Sequence, residues 1–375
     1  MTLNNNQQAF FELLRAGLWE KEARLSMFGA IDYKEVYRIA EEQSVLGLIA
    51  AGLEHVTDVK FLKEDVLQFV GSALHLEQRN QAMNTFVSDL VERLRGEQIY
   101  TLLVKGQGIA QCYERPLWRA SGDVDLLLDS ENYKTASSFL TRIADSIDED
   151  RPETKHFAMT IGAWEVELHG TLRSQLGKRI DDVIDEVQED TFTNANVRSW
   201  SNEGTDILIP APDNDVIFIF THILQHFFRE GIGIRQICDW CRLMWTYRDS
   251  IDASLLEDRL KRMRVIPEWK SFAYLVVNSL GMPEEAMPFY SSDLKWKRKA
   301  KDILSYIIET GSFGRSLDYS YYKKYPFLVY KAISLCKHTH KGIRHFILFP
   351  TVSTREWGRM IRVGLKLTAK QSKLI

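Results

Sequence analysis

A chain of 375 residues is too long for one average domain and suits two or three, and its 45% apolar and 26% charged residues are ordinary globular composition, which excludes a disordered chain. The net charge of −3 conceals an asymmetry: from Lys323 onward twelve Lys or Arg face one acid, Glu356, so that stretch carries +11 and the remainder −14. Four cysteines make no disulfide framework at this length, and no run of about 18 apolar residues is present to cross a membrane, so the disulfide-rich and membrane-spanning classes are excluded as well.

The opening MTLNNNQQAFFELLRAG has no basic segment followed by an apolar run, so no signal peptide is expected and a reducing, cytoplasmic setting fits best. Residues 1–97 predict a helical region. Phe10, Leu13 and Leu14, then Val36, Ile39 and Ala40, then Val66, Phe69 and Val70 recur at helical spacing. A long amphipathic helix follows over Leu74–Arg95 and ends at Gly96.

The character changes at Ile99. Residues 100–104, YTLLV, suit a buried strand, which Lys105-Gly106-Gln107-Gly108 breaks before a short helix to about Tyr113. A second strand is predicted over Val124–Leu128 and a helix over Glu131–Ala144. The acidic stretch 145–153 reads as a loop. His156–Ile161 and Trp164–His169 read as a hairpin turning at Gly162-Ala163. Strands interleaved with helices predict a small α/β or α+β core over 98–210. From Pro210 the pattern returns to helix, over Asp213–Arg229, Arg235–Arg248 and Leu255–Met263, in a C-terminal helical region, 211–375, that ends in the basic tail.

The chemistry concentrates in Arg119-Ala-Ser-Gly-Asp123-Val-Asp125-Leu-Leu-Leu128. Strand residues two apart share a face, so Asp123 and Asp125 present their carboxylates together while Val124 and Leu126 enter apolar packing. Two adjacent carboxylates repel, which raises one pKa unless a cation neutralises them. A hard divalent ion such as Mg²⁺ is the natural partner. A third acid is expected from a neighbouring strand: Glu167, in an apolar-acid-apolar setting, with Glu165 its rival and His169 on the same face.

A glycine-containing turn after a strand, Asp-x-Asp in the next strand and an acid in a later one resemble the nucleotidyltransferase superfamily shared with polymerase β. The wording LLVKGQGIAQCYERPLWRASGDVDLLL, followed by VELHG, is similar to one branch, the bacterial uncharacterised nucleotidyltransferase family. The resemblance covers about 140 residues, and Lys105-Gly106 departs from the Gly-Ser of the wider superfamily. It implies a polymerase β-like core flanked by helical regions. It also implies that Asp123 and Asp125 hold two Mg²⁺ (or Mn²⁺) ions about 3.5–4 Å apart, and that Glu167 completes one of these sites and helps deprotonate an acceptor hydroxyl. Lys105 and Arg119 become the cations for an NTP such as ATP, with Gly106, Gly122 and His169 beside the nucleotide. The implied reaction moves an NMP onto a hydroxyl of a small molecule, protein or RNA. Two other functions fit the same residues: an inactive nucleotide- or partner-binding module, and a toxin-like enzyme acting on tRNA or protein.

Other motifs have plainer readings. Cys238 and Cys241 form a CxxC flanked by Ile237 and Trp240, which suits helix core better than a zinc site that has no second ligand pair. His222 and His226 stand four apart without the HExxH arrangement, and are expected to hydrogen-bond within the helical region or face the nucleotide cleft. Arg235 and Asp239 have the same spacing and suit a helical ion pair. The basic tail has aromatics between its cations, with Phe346 to Phe349 beside Arg344. This suits RNA, a membrane surface, the acidic body of the chain itself, or a solvated helical face.

Overall fold

The computed structural model describes residues 3–148, 156–314, 316–317, 320 and 324–371. Four helices come first: α1 (Asn5–Trp19), α2 (Tyr33–Glu42), α3 (Leu46–Glu54) and α4 (Lys63–Gly96). Asn4 and Gln7 cap α1 reciprocally, so two of its orphan amide groups are satisfied by side chains. Helices α1 and α3 cross at glycines. A Cβ at Gly17 would lie 1.9 Å from the Leu48 carbonyl, and one at Gly52 would lie 2.0 Å from that of Leu13. The two backbones therefore touch only because no side chain intervenes.

Helix α4 has 34 residues and passes under the core that follows. That core contains β1 (Leu102–Val104), α5 (Gly106–Ala110), β2 (Asp123–Leu127), α6 (Ser130–Thr141), β3 (Ser146–Ile147), β4 (His156–Ile161) and β5 (Trp164–His169). The sheet order is β1-β2-β5-β4-β3, antiparallel throughout except for the parallel β2–β5 pair. The hairpin and both predicted core strands lie within two residues of their expected bounds. The short β3 falls inside the stretch expected to be acidic loop, and residues 149–153 of that stretch lie outside the described residues.

Two further elements carry no expectation from the sequence: α7 (Lys178–Thr193) and the hairpin β6 (Val197–Asn202)–β7 (Thr205–Pro210). Its turn residues Glu203 and Gly204 both have positive φ, the two-residue connection that matches strand twist. After them come α8 (Pro212–Arg229), α9 (Ile234–Thr246), α10 (Ala253–Met263), α11 (Ile266–Leu280), α12 (Leu294–Thr310), α13 (Phe327–Leu348) and α14 (Pro350–Gln371). Among the described residues, no helix is long and apolar enough to cross a membrane.

Two apolar clusters hold the elements together. One joins the N-terminal helices to the C-terminal ones through residues such as Leu13, Phe69, Phe220, Trp240 and Trp269. The other lies beneath the sheet, where Val124, Leu126, Val166 and Leu168 pack with Val87 of α4 and Leu140 of α6. The fold is thus α+β, a small mixed sheet set among helices. Its apolar strand residues face inward and leave the acidic ones on the opposite side, toward α8 and α9.

Candidate active site

The parallel register places Asp125 beside Glu167 and Asp123 beside Glu165. Of the two rival acids, Glu167 lines the cleft between the sheet and α8/α9, while Glu165 is exposed and does not. Asp125 Oδ1 accepts hydrogen bonds from Lys105 Nζ and His169 Nε2, each at 2.7 Å, and His169 Nε2 also lies 3.3 Å from Glu167 Oε2. One ligand atom from each of Asp125, Glu167 and His169 falls within a 4.8 Å cluster. Asp123 sits at the open edge of this group, half-buried, and lines the same cleft.

Electrostatics follow from this packing. Burial opposes ionisation of Asp125, but Lys105 and His169 outweigh it and hold the carboxyl far below the usual carboxylate range. The negative charge of Asp125, followed by burial, pushes the Asp123 carboxyl up. Burial lowers Lys105 and His169, yet their acidic partners leave both raised. The pair repulsion expected from Asp-x-Asp is therefore present, and it falls on Asp123.

Lys105 has a backbone conformation of φ 59°, ψ −141°, which for a non-glycine residue costs on the order of 1–3 kcal/mol. The bend turns the chain from β1 into α5 and brings the ammonium to Asp125. Gly106 follows with φ 34° and lines the cleft. Gly122 has ordinary φ, does not line the cleft, and a Cβ there would meet nothing within 4 Å. Its place beside a nucleotide has no support in this geometry.

Arg119, expected as a phosphate cation, lines the same cleft, and its guanidinium is also held from within the protein. Nε and Nη2 bond Asp239 at 3.0 and 2.7 Å, Nη1 bonds Ser121 Oγ at 2.9 Å, and the residue is 5% exposed. Tyr113 donates to the same Asp239 carboxylate at 2.7 Å. Ser121 in turn donates to Gln107, and Gln107 to Asn84 of α4. Asn80, also on α4, holds the Leu117 and Arg119 carbonyls. These bonds fix the loop that delivers Asp123.

The expected Arg235–Asp239 helical pair is replaced by this arrangement, because Asp239 turns to Arg119. Arg235 instead bonds the Ala120 carbonyl and lines the cleft, and its buried Nε has no protein partner. Burial, followed by the nearby Arg119 charge, lowers its pKa. Spacing alone could not separate these outcomes, since the competing partner lies 120 residues away. His222 and His226 also line the cleft. Their Nε2 atoms are 3.1 Å apart, and His226 Nδ1 is 2.8 Å from Glu230 Oε2. Both readings of the histidines, bonded within the helical region and facing the cleft, hold together.

Cys238 and Cys241 are fully buried in α9, and burial pushes both thiols up, as for helix core. In the C-terminal segment, Leu348 and Phe349 are buried while Phe346 and Ile347 are exposed. Arg344 pairs with Glu309 at 2.6 Å. The cleft itself has a volume of about 300 Å³.

An Asp-x-Asp strand beside a parallel strand bearing the third acid, in a small mixed sheet among helices, is the arrangement of a nucleotidyltransferase. The chain belongs to the family described as uncharacterised nucleotidyltransferase, whose model matches residues 29–278, two-thirds of its length. No curated protein matches it. Among solved structures it resembles an antigenic nucleotidyltransferase-like protein from Paracoccidioides brasiliensis at 15% identity, over 53% of this chain and 92% of that one. The TM-score of 0.31 is too low to carry an argument.

Proposed function

We propose that the protein transfers a nucleoside monophosphate from an NTP to a hydroxyl of an acceptor, using a divalent metal held by the β2/β5 acids. The observation that carries this reading is the Asp123–Asp125–Glu167 group, set in one cleft with Lys105, His169 and Arg235. These residues suit Mg²⁺ or Mn²⁺. The donors are mostly hard carboxylate oxygens, and the elevated Asp123 carboxyl marks negative charge that Lys105 and Arg235 leave incompletely compensated. Asp125 and Glu167 would hold the ion, with Asp123 beside them. When bound, it neutralises charge on the phosphoryl oxygens.

The chain's own residues supply the rest. Arg235 offers a guanidinium to the phosphates at the cleft wall, Lys105 a point charge beside Asp125, and His169 fixes the Asp125 and Glu167 carboxylates. The acceptor oxygen bonds the α-phosphorus while the bond to the bridging oxygen breaks, and pyrophosphate leaves with that electron pair. The hydroxyl proton passes to Glu167. Positioning and charge neutralisation account for most of the rate. Arg119 acts through the loop before β2 as a positioning residue. The test is transfer of label from α-labelled NTP, lost in Asp123→Asn/Asp125→Asn.

A further inference from the structure

A second cavity, of about 610 Å³, opens between α12 and α13 and shares Glu230 and Phe313 with the candidate active site. Its size is within the range of small-molecule pockets, whereas the catalytic cleft is at the lower limit of that range. One wall is cationic, from Arg229, Lys337, Lys341 and Arg344; Tyr306 and Phe313 supply aromatic surface. The two carboxylates present are already engaged, Glu230 by His226 and Glu309 by Arg344. Arg229 is likewise paired, with Glu356 at 2.9 Å.

Lys341 differs from these. Its ammonium donates to the Arg229 main-chain carbonyl at 2.6 Å and lies 5.7 Å from the Tyr306 ring, and among the described residues no carboxylate is within ion-pair distance of it. An ammonium so enclosed, with a carbonyl for its direct partner and the Glu230 carboxylate acting on it only from beyond ion-pair distance, is incompletely compensated.

We infer that this cavity is the acceptor site, and that the acceptor is a hydroxyl-bearing molecule carrying a phosphate, which Lys341 and Lys337 bind. The inference rests on the transferase reading for its role but not for its binding chemistry. The phosphate sits between the lysines, the organic part lies along Tyr306, and the hydroxyl reaches past Phe313 into the catalytic cleft.

The test is calorimetric titration of inorganic phosphate into the full chain. Wild type and Asp123→Asn/Asp125→Asn are expected to bind it alike, and Lys341→Gln to weaken binding at least fivefold. Lys337→Glu, at an exposed position, is expected to do the same without disturbing the fold, as checked by circular dichroism. Binding that survives both lysine variants but disappears in Lys105→Gln places phosphate in the catalytic cleft and overturns the inference, as does no binding in any variant. Phosphate bound at the lysines without label transfer leaves the cavity standing and removes the transferase reading; transfer with lysine-independent binding does the reverse.

Discussion

Arg119 and Asp239 meet through two hydrogen bonds, at 3.0 and 2.7 Å, with both side chains almost fully buried, and so tie the loop before β2 to helix α9. Burial favours the neutral carboxyl, but Arg119 outweighs it and keeps Asp239 below the usual carboxylate range. The pair couples the strand bearing Asp123 and Asp125 to the helix that walls the cleft. Replacing one partner leaves the other charged, buried and unmatched. Asp239→Asn is expected to destabilise the fold by about 3–5 kcal/mol, measured by urea unfolding, while Arg119→Met/Asp239→Leu recovers much of that loss. Equal losses in the single and double variants would contradict the coupling.

Arg235 is the guanidinium in the cleft whose buried Nε has no protein partner. A charge-assisted bond to phosphate contributes about 1.5–3 kcal/mol, so Arg235→Gln is expected to weaken NTP binding about tenfold or more. Titration with a non-hydrolysable NTP and Mg²⁺ checks this. The melting temperature should change little, in contrast to Asp239→Asn. A variant that binds as wild type does would remove Arg235 from the phosphate site.

Glu268 on α11 is 2% exposed, and its Oε2 has no hydrogen-bond partner. Burial pushes its carboxyl up to about 7, against 4.5 for the ordinary group, with Lys299 opposing. Between those values the folded state binds the proton and the unfolded state releases it, so this group's contribution to stability falls as pH rises. Glu268→Gln removes the effect. The variant's advantage over wild type is expected to grow from pH 5 to pH 8, by at most on the order of 3 kcal/mol. Urea unfolding of both proteins at the two pH values gives this difference, and a gap independent of pH would contradict the assignment.

The cysteines give a sharper contrast. Cys112, Cys238 and Cys241 are buried while Cys336 is exposed. A thiol reagent should modify one group per native chain quickly and the other three only on unfolding. Fast reaction of two or more would mean that the Cys238–Cys241 pair is accessible for redox or metal chemistry.

What the sequence discloses and what it withholds divide along physical lines. Asp123, Asp125 and an acid on the later strand were legible because a period of two and apolar flanks fix both strand and face, and the β4–β5 hairpin was bounded by its Gly162 turn, whereas the choice of Glu167 over Glu165 needed the strand pairing and the cleft. Arg119 was assigned to phosphate from the family resemblance and Arg235 to Asp239 from local spacing, yet their partners, Asp239 and the Ala120 carbonyl, depend on how α9 docks against a loop over 100 residues earlier. Strand β6 lies in polar sequence, VRSWSN, with little alternation, although the Glu203-Gly204 turn and Ile207 and Ile209 of β7 were usable signals. The second cavity needs α12 and α13 brought side by side, which no local pattern specifies.

The central claim is tested most directly by incubating the protein with each α-labelled NTP, Mg²⁺ or Mn²⁺, and host lysate separated into small molecules, RNA and protein. Wild type is expected to move label into one of these fractions with release of pyrophosphate, and Asp123→Asn/Asp125→Asn to move none. Label transfer that persists in the double variant, or that never occurs with any NTP and either metal, would contradict the account.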